Sequence, residues 1–132
     1  MLPILRKDFM IDSYQVHEAK AYGADLILLI ARVLSPEQYA DIAGTARDLG
    51  MECLLEIHNE EELTGLDLNL IDFLGVNNRN LESFETSVQH SIDMASSLPK
   101  DLIKISESGI YTAEDAKSLL NAGYQGLSLI HI

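Results

Sequence analysis

The chain has 132 residues, 47% of them hydrophobic, a single cysteine and a formal charge of -12. That length makes one domain or a piece of one, able to bury roughly two-thirds of its unfolded surface, and the negative field argues against nucleic acid or anionic membrane as a partner. No stretch approaches the roughly 18 apolar residues that span a bilayer, Arg6-Lys7-Asp8 speaks against a signal peptide, and Cys53 in an apolar run suits a buried thiol in a reducing cytosol. Arg6, Lys7 and Arg79 are left as local cations that could gather an anionic substrate.

The first predicted strand is Pro3 to Arg6, followed by a helix capped by Asp12 that runs to Tyr22 and stops at Gly23. Asp25 to Ile30 is a continuous apolar run, as expected of a strand covered on both faces. Ser35-Pro36-Glu37 opens the clearest helix, with a capping hydroxyl, a proline at the first helical position and an acid at the positive dipole end. Tyr39, Ile42, Ala43, Ala46 and Leu49 recur at helical spacing until Gly50.

A third strand, Glu52 to Ile57, runs into His58 and Asn59, the latter predicted to cap a short acidic helix. The fourth strand, Ile71 to Val76, ends in Asn77-Asn78-Arg79-Asn80, and a helix from about Thr86 to Ser97 is predicted to turn Val88, Ile92 and Ala95 inward. Leu102 to Ile105 is the fifth strand and empties into Ser106-Glu107-Ser108-Gly109. Thr112 and Asp115 resemble a capping box for a helix ended by Gly123, and a sixth strand begins near Gln125-Gly126-Leu127. A βα repeat of roughly 25 residues implies parallel strands joined by right-handed crossovers. Periodicity leaves open whether the sheet is doubly wound or part of an eight-stranded barrel, which typically needs about 250 residues.

Four clusters, Leu5-Arg6-Lys7-Asp8-Phe9, Leu55-Glu56-Ile57-His58, Gly75-Val76-Asn77-Asn78-Arg79-Asn80-Leu81 and Ser106-Glu107-Ser108-Gly109-Ile110, resemble the indole-3-glycerol-phosphate synthase family in order and spacing. The resemblance covers nearly the whole chain. It implies a parallel (βα)8 TIM barrel, present here as an incomplete barrel lacking the first two β units. It also implies a cytoplasmic carbon-carbon lyase of tryptophan biosynthesis that closes the indole ring of 1-(2-carboxyphenylamino)-1-deoxyribulose 5-phosphate with loss of carbon dioxide and water, using neither cofactor nor metal.

On this match Lys7 is the catalytic proton donor to the substrate's ketone, and Glu56 the catalytic carboxylate that accepts a proton or stabilises the developing cation. Asn77 hydrogen-bonds sugar hydroxyls, Arg79 supports the site, and Phe9 packs on the anthranilate ring. Glu107 and Ser108 touch the ribulose part, while Gly109 opens backbone N–H groups to the phosphate. Taken alone the same residues read more plainly: Lys7 as a solvated charge, Asn77-Asn78 as turn residues, Ser108-Gly109 as a tight turn. His58 reads as a helix-entry residue rather than a metal ligand, since no other ligand stands at metal spacing, and His131 as a terminal accident.

Against the family's pattern, no strand precedes Met1 to supply its first glutamate and second lysine, and Ile130 stands where a phosphate-binding glycine is expected. The expectation is therefore a fragment with little or no synthase activity by itself, whose open strand edges favour self-association. A receiver-like signalling module fits poorly, because the positions that would hold its acidic pair and phosphoacceptor carry Lys7-Asp8 and Glu56-His58. Phosphoribosylanthranilate isomerase is a weaker barrel match, since Cys53 lies inside a strand. A non-catalytic half-barrel completed by a partner is the remaining alternative.

Overall fold

The computed structural model describes residues 2–80 and 82–129. Leu81 of the fourth-strand cluster, Ile130 in the place of the expected glycine, and His131 lie outside the described residues. The chain divides into two compact units, residues 1–56 with 63–72, and residues 57–62 with 73–132.

In the first unit β1 (Leu5–Arg6), β2 (Leu26–Ile30) and β3 (Glu52–Ile57, of which the last residue is counted in the second unit) pair in parallel, with Leu5 opposite Leu26 and Ile30 opposite Glu56. The first strand is shorter than its apolar run suggested. Ahead of the ladder, the Ile4 carbonyl accepts from the Asp25 and Leu26 N–H groups, and the Ile4 N–H donates to the Asp25 carboxylate. Helix α1 (Ser13–Ala21) starts at a reciprocal Asp12/Gln15 capping box, and α2 (Pro36–Asp48) at one made by Ser35 and Gln38. Tyr39, Ile42, Ala43 and Ala46 of α2 are buried as their spacing requires, whereas Leu49 is only half-buried. Burial of each large side chain contributes about 1.5–3 kcal/mol. The Tyr39 hydroxyl donates to the Asp67 carbonyl at 2.7 Å, and burial raises its pKa above the ordinary tyrosine value.

Cys53 sits in the middle of this core. Its backbone N–H donates to the Asp72 carboxylate at 3.0 Å, and burial, reinforced by that carboxylate, pushes its thiol up from 9.0 to about 12. Two results follow. The thiol of the folded chain should resist alkylation at pH 8 and react only after unfolding, which iodoacetamide labelling with and without urea measures. A raised folded pKa also means that the neutral thiol's contribution is complete below pH 9 and is lost as the pH climbs towards 12. Urea midpoints should accordingly fall more steeply over that window for the parent than for Cys53→Ala.

In the second unit β4 (Phe73–Asn77), β5 (Ile103–Glu107) and β6 (Gly126–Ser128) pair in parallel, with Gly75 opposite Ile105 and Asn77 opposite Glu107. Helix α4 (Ala113–Ala122) opens on a Thr112/Asp115 capping box and closes on Gly123 at φ 111, a left-handed conformation that favours glycine.

Three expectations change here. The predicted helix from Thr86 to Ser97 is a short α3 (Gln89–Met94) followed by a 3-10 turn, Ala95–Ser97. Thr86 is held out of it by an antiparallel bridge to Arg79, and Leu98 is extended because it precedes Pro99. The buried residue of α3 is Ser91, while Val88, Ile92 and Ala95 are half-buried. Asn59 caps no α-helix: Glu60–Leu63 is a single 3-10 turn, and the buried Asn59 Oδ1 accepts no hydrogen bond from the described residues. Finally, β5 continues to Glu107, two residues past its apolar run.

Candidate functional site

Because the strands of each unit are parallel, their polar carboxyl ends leave from one edge of that unit's sheet. In the first unit these are Lys7, just after β1, and Glu56 at the end of β3. Lys7 is exposed and Glu56 buried. Phe9 is 64% exposed, so its ring is available to a ligand rather than committed to the core. Arg6, expected among the local cations, is spent on its neighbours. It pairs with Glu18 at 2.8 Å and Asp8 at 3.1 Å, and these carboxylates hold its guanidinium above the ordinary arginine pKa.

In the second unit Asn77 ends β4, buried, and its Oδ1 accepts from the Arg79 N–H at 2.9 Å, turning the chain so that Arg79 emerges exposed. Its carbonyl faces His58 Nδ1 at 3.0 Å. The His58 ring stacks on His90 with centroids 4.5 Å apart, and His90 Nε2 contacts the His58 carbonyl. Among the described residues no group of three or more His, Cys, Asp or Glu side chains could hold a metal ion.

At the end of β5, Glu107 is 1% exposed and Ser108 is buried, with Ser108 and Gly109 both at φ 73. Ser108 is not a glycine, and the left-handed region costs such a residue about 1–2 kcal/mol unless its surroundings impose it. The surroundings do impose it. The Ser108 N–H donates to the Ser128 carbonyl at 3.1 Å, and the Ser108 carbonyl accepts from Asn78 Nδ2 at 3.0 Å. Its Oγ is buried without a hydrogen-bond partner among the described residues, a position from which a bound polar group could be recognised. Gly109 has no room for a side chain, since a Cβ there would lie 2.3 Å from Thr86 Cγ2.

Sequence reading missed the side chains that hold this corner. Asn78 Nδ2 also donates to Ser106 Oγ at 2.9 Å, while its Oδ1 accepts from the N–H and hydroxyl of Ser91 at 3.1 and 2.7 Å. The hydroxyls of Ser91 and Ser106 are 2.7 Å apart, and the Tyr124 hydroxyl donates to the Ser91 carbonyl at 2.7 Å. Asn78, Ser91 and Ser106 are all buried, so every hydrogen bond here is formed away from solvent. A hint lay in Ser106, a hydroxyl directly after the apolar run of β5.

No helix among the described residues is long and apolar enough to cross a membrane. Solved structures share the fold at low sequence identity. A truncated 3-deoxy-D-arabino-heptulosonate 7-phosphate synthase from Thermotoga maritima matches 97% of this chain and 50% of its own, with a TM-score of 0.67 and 15% identity. A structure described as native KDPGal matches 92% and 53%, with a TM-score of 0.64 and 19% identity. These likenesses carry the fold alone, an α/β parallel repeat of incomplete-barrel type.

Sequence relatives go further. Indole-3-glycerol phosphate synthase of Bacteroides thetaiotaomicron is 49% identical over 125 residues, 95% of this chain and 48% of its own. That of Verminephrobacter eiseniae is 49% identical over 94% of this chain and 47% of its own. The chain thus spans about half the length of the curated relatives it matches. The family model for indole-3-glycerol phosphate synthase matches residues 1–130, and the chain belongs to that family.

Proposed function

We propose that this chain contributes the carboxyl-terminal part of an indole-3-glycerol phosphate synthase, a decarboxylating carbon-carbon lyase. The observation that carries the reading is a family match over residues 1–130 that includes a strand-end lysine, Lys7, and a buried strand-end glutamate, Glu56. Ring closure needs the ketone of the carboxyphenylamino-deoxyribulose phosphate protonated as an aromatic carbon attacks it. Carboxylate then leaves as carbon dioxide and the former ketone oxygen as water. Lys7 donates to the ketone oxygen, as a compact ammonium with three donors can. Glu56 stabilises the cation that forms on attack or takes up a proton. Asn77 and Ser108 offer neutral hydrogen bonds to the sugar, Glu107 contacts the ribulose, Phe9 stacks on the anthranilate, Arg79 supports the site, and the Gly109 backbone approaches the phosphate. The cytoplasm is the compartment this chemistry implies.

The exposed Leu2, Ile4 and Ile11 around the short β1 favour a second reading, in which the chain serves as a half-barrel completed by a partner that supplies further strands. One experiment addresses both. Formation of indole-3-glycerol phosphate is followed for the chain alone and for a chimera in which the amino-terminal half of the Bacteroides thetaiotaomicron relative precedes it. The chimera is expected to turn over and the chain alone hardly at all. A folded chimera without turnover sinks the synthase reading, and full turnover by the chain alone removes the need for a partner.

A further inference from the structure

Gly75 lies in the middle of β4, where glycine is a poor strand residue because it adds backbone entropy to the unfolded chain and packs nothing. Its backbone does not demand glycine, since Gly75 is not among the positive-φ glycines Gly23, Gly50, Gly65, Gly109 and Gly123. Space does. A Cβ built on Gly75 would lie 3.0 Å from Glu107 Cδ, 3.1 Å from its Oε2 and 3.2 Å from its Oε1. The register explains how the two meet. Asn77 is opposite Glu107 and Gly75 opposite Ile105, so strand alternation puts Gly75, Asn77, Ile105 and Glu107 on one face of the sheet. The Glu107 side chain folds back along that face by two residues and rests its carboxylate on the bare backbone of Gly75.

We propose that Gly75 is a positioning residue for Glu107: the missing side chain is the niche that fixes the conformer of a carboxylate placed in the substrate site. The claim about Glu107's contact with substrate rests on the function proposed above, whereas the claim that Gly75 sets its conformer does not. A Cβ at position 75 requires the carboxylate to give by a few tenths of an ångström, and Glu107, 1% exposed, is packed where it stands. The three nearest atoms all belong to that one carboxylate, so the first obstacle a side chain meets is Glu107 itself.

The test is a double-mutant cycle in urea on the chain as it stands, with Gly75→Ala and Glu107→Ala singly and together. With Glu107 present, Gly75→Ala should raise the unfolding constant by about tenfold or more, the range expected of an overpacked core. With Glu107→Ala the sign should reverse, because alanine is the better strand residue once its obstacle is gone. Should Glu107→Ala fail to fold, Glu107→Asp replaces it: one methylene shorter, it should relieve part of the penalty, while the isosteric Glu107→Gln should relieve none. Equal penalties in all backgrounds overturn the proposal.

A second readout reports on the carboxylate itself. The carboxyl 13C resonance of Glu107 should move in Gly75→Ala while that of the exposed Glu114 stays put, and an unmoved Glu107 signal also overturns the proposal. In the chimera, Gly75→Ala should lower kcat/KM to the level of Glu107→Ala, with no further loss in the double variant. If the stability cycle closes as described and the chimera has no turnover, it is the synthase reading that fails and not the role of Gly75.

Discussion

Replacing Lys7 by methionine in the full-length chimera is expected to lower kcat by about 100- to 10,000-fold, the range a positioned general acid supplies, with only a modest change in KM. The expectation comes from what the step requires. Attack on a ketone by a weakly nucleophilic aromatic carbon leaves charge on the carbonyl oxygen, and a proton delivered there as the bond forms removes it. Lys7 stands exposed just past β1, on a short strand held at Leu5 and Arg6. Its four-carbon stem can reach a ligand while the backbone stays fixed. Arg6 cannot take over, because Asp8 and Glu18 hold its guanidinium. Lys7→Arg should lose nearly as much as Lys7→Met, since a guanidinium keeps the charge but gives up a proton far less readily. Lys100→Met, at an exposed lysine outside the site, is the control and should leave turnover unchanged. Turnover of Lys7→Met within threefold of the parent would remove Lys7 from the mechanism.

The parts of this protein legible in the sequence are those governed by local rules. Asp12, Ser35 and Thr112 announce three helices because a cap must face its own first turn, and all three caps close as reciprocal boxes. The buried strands β2 and β3 show as apolar runs because parallel strands are covered on both faces. Strand ends are harder. Hydrophobicity ends β5 at Ile105, whereas the ladder runs on through Ser106 and Glu107, since backbone pairing with β6 continues whatever the polarity of the side chains. The α3 segment misleads for a different reason. Its apolar spacing points to Val88, Ile92 and Ala95, but the residue that enters the interior is Ser91, drawn there by Asn78. Neither Asn78 nor Ser91 signals the other locally; they are 13 residues apart and meet Ser106 and Tyr124 only after folding. The candidate site is legible to a similar degree: the family's motifs point to Lys7, Glu56, Asn77 and Glu107, but the seat of Glu107 on Gly75 emerges only from strand register.

That hidden network sets the largest stability effect expected here. Asn78→Ala should destabilise the chain by about 3–5 kcal/mol, a large part of the roughly 5–15 kcal/mol that holds a domain together. The alanine deletes four hydrogen bonds, two donated by Nδ2 to Ser106 Oγ and the Ser108 carbonyl, and two accepted by Oδ1 from the Ser91 N–H and hydroxyl. The two hydroxyls can still bond each other across their 2.7 Å separation. The Ser91 N–H and the Ser108 carbonyl lose these buried partners, and each such group costs about 1–3 kcal/mol. Strain adds to this, because the Asn78 amide is one of the two hydrogen bonds that pin Ser108 at positive φ. Asn78→Asp discriminates between the two halves of the network: it keeps the acceptor for Ser91 but turns a second oxygen towards the Ser108 carbonyl, so it should be at least as damaging as alanine. Urea denaturation at constant m-value measures both variants. A loss below about 1 kcal/mol for Asn78→Ala would mean that Ser108 and Gly109 hold their conformation without Asn78, and that the corner beside the proposed substrate site is set by the Ser128 ladder instead.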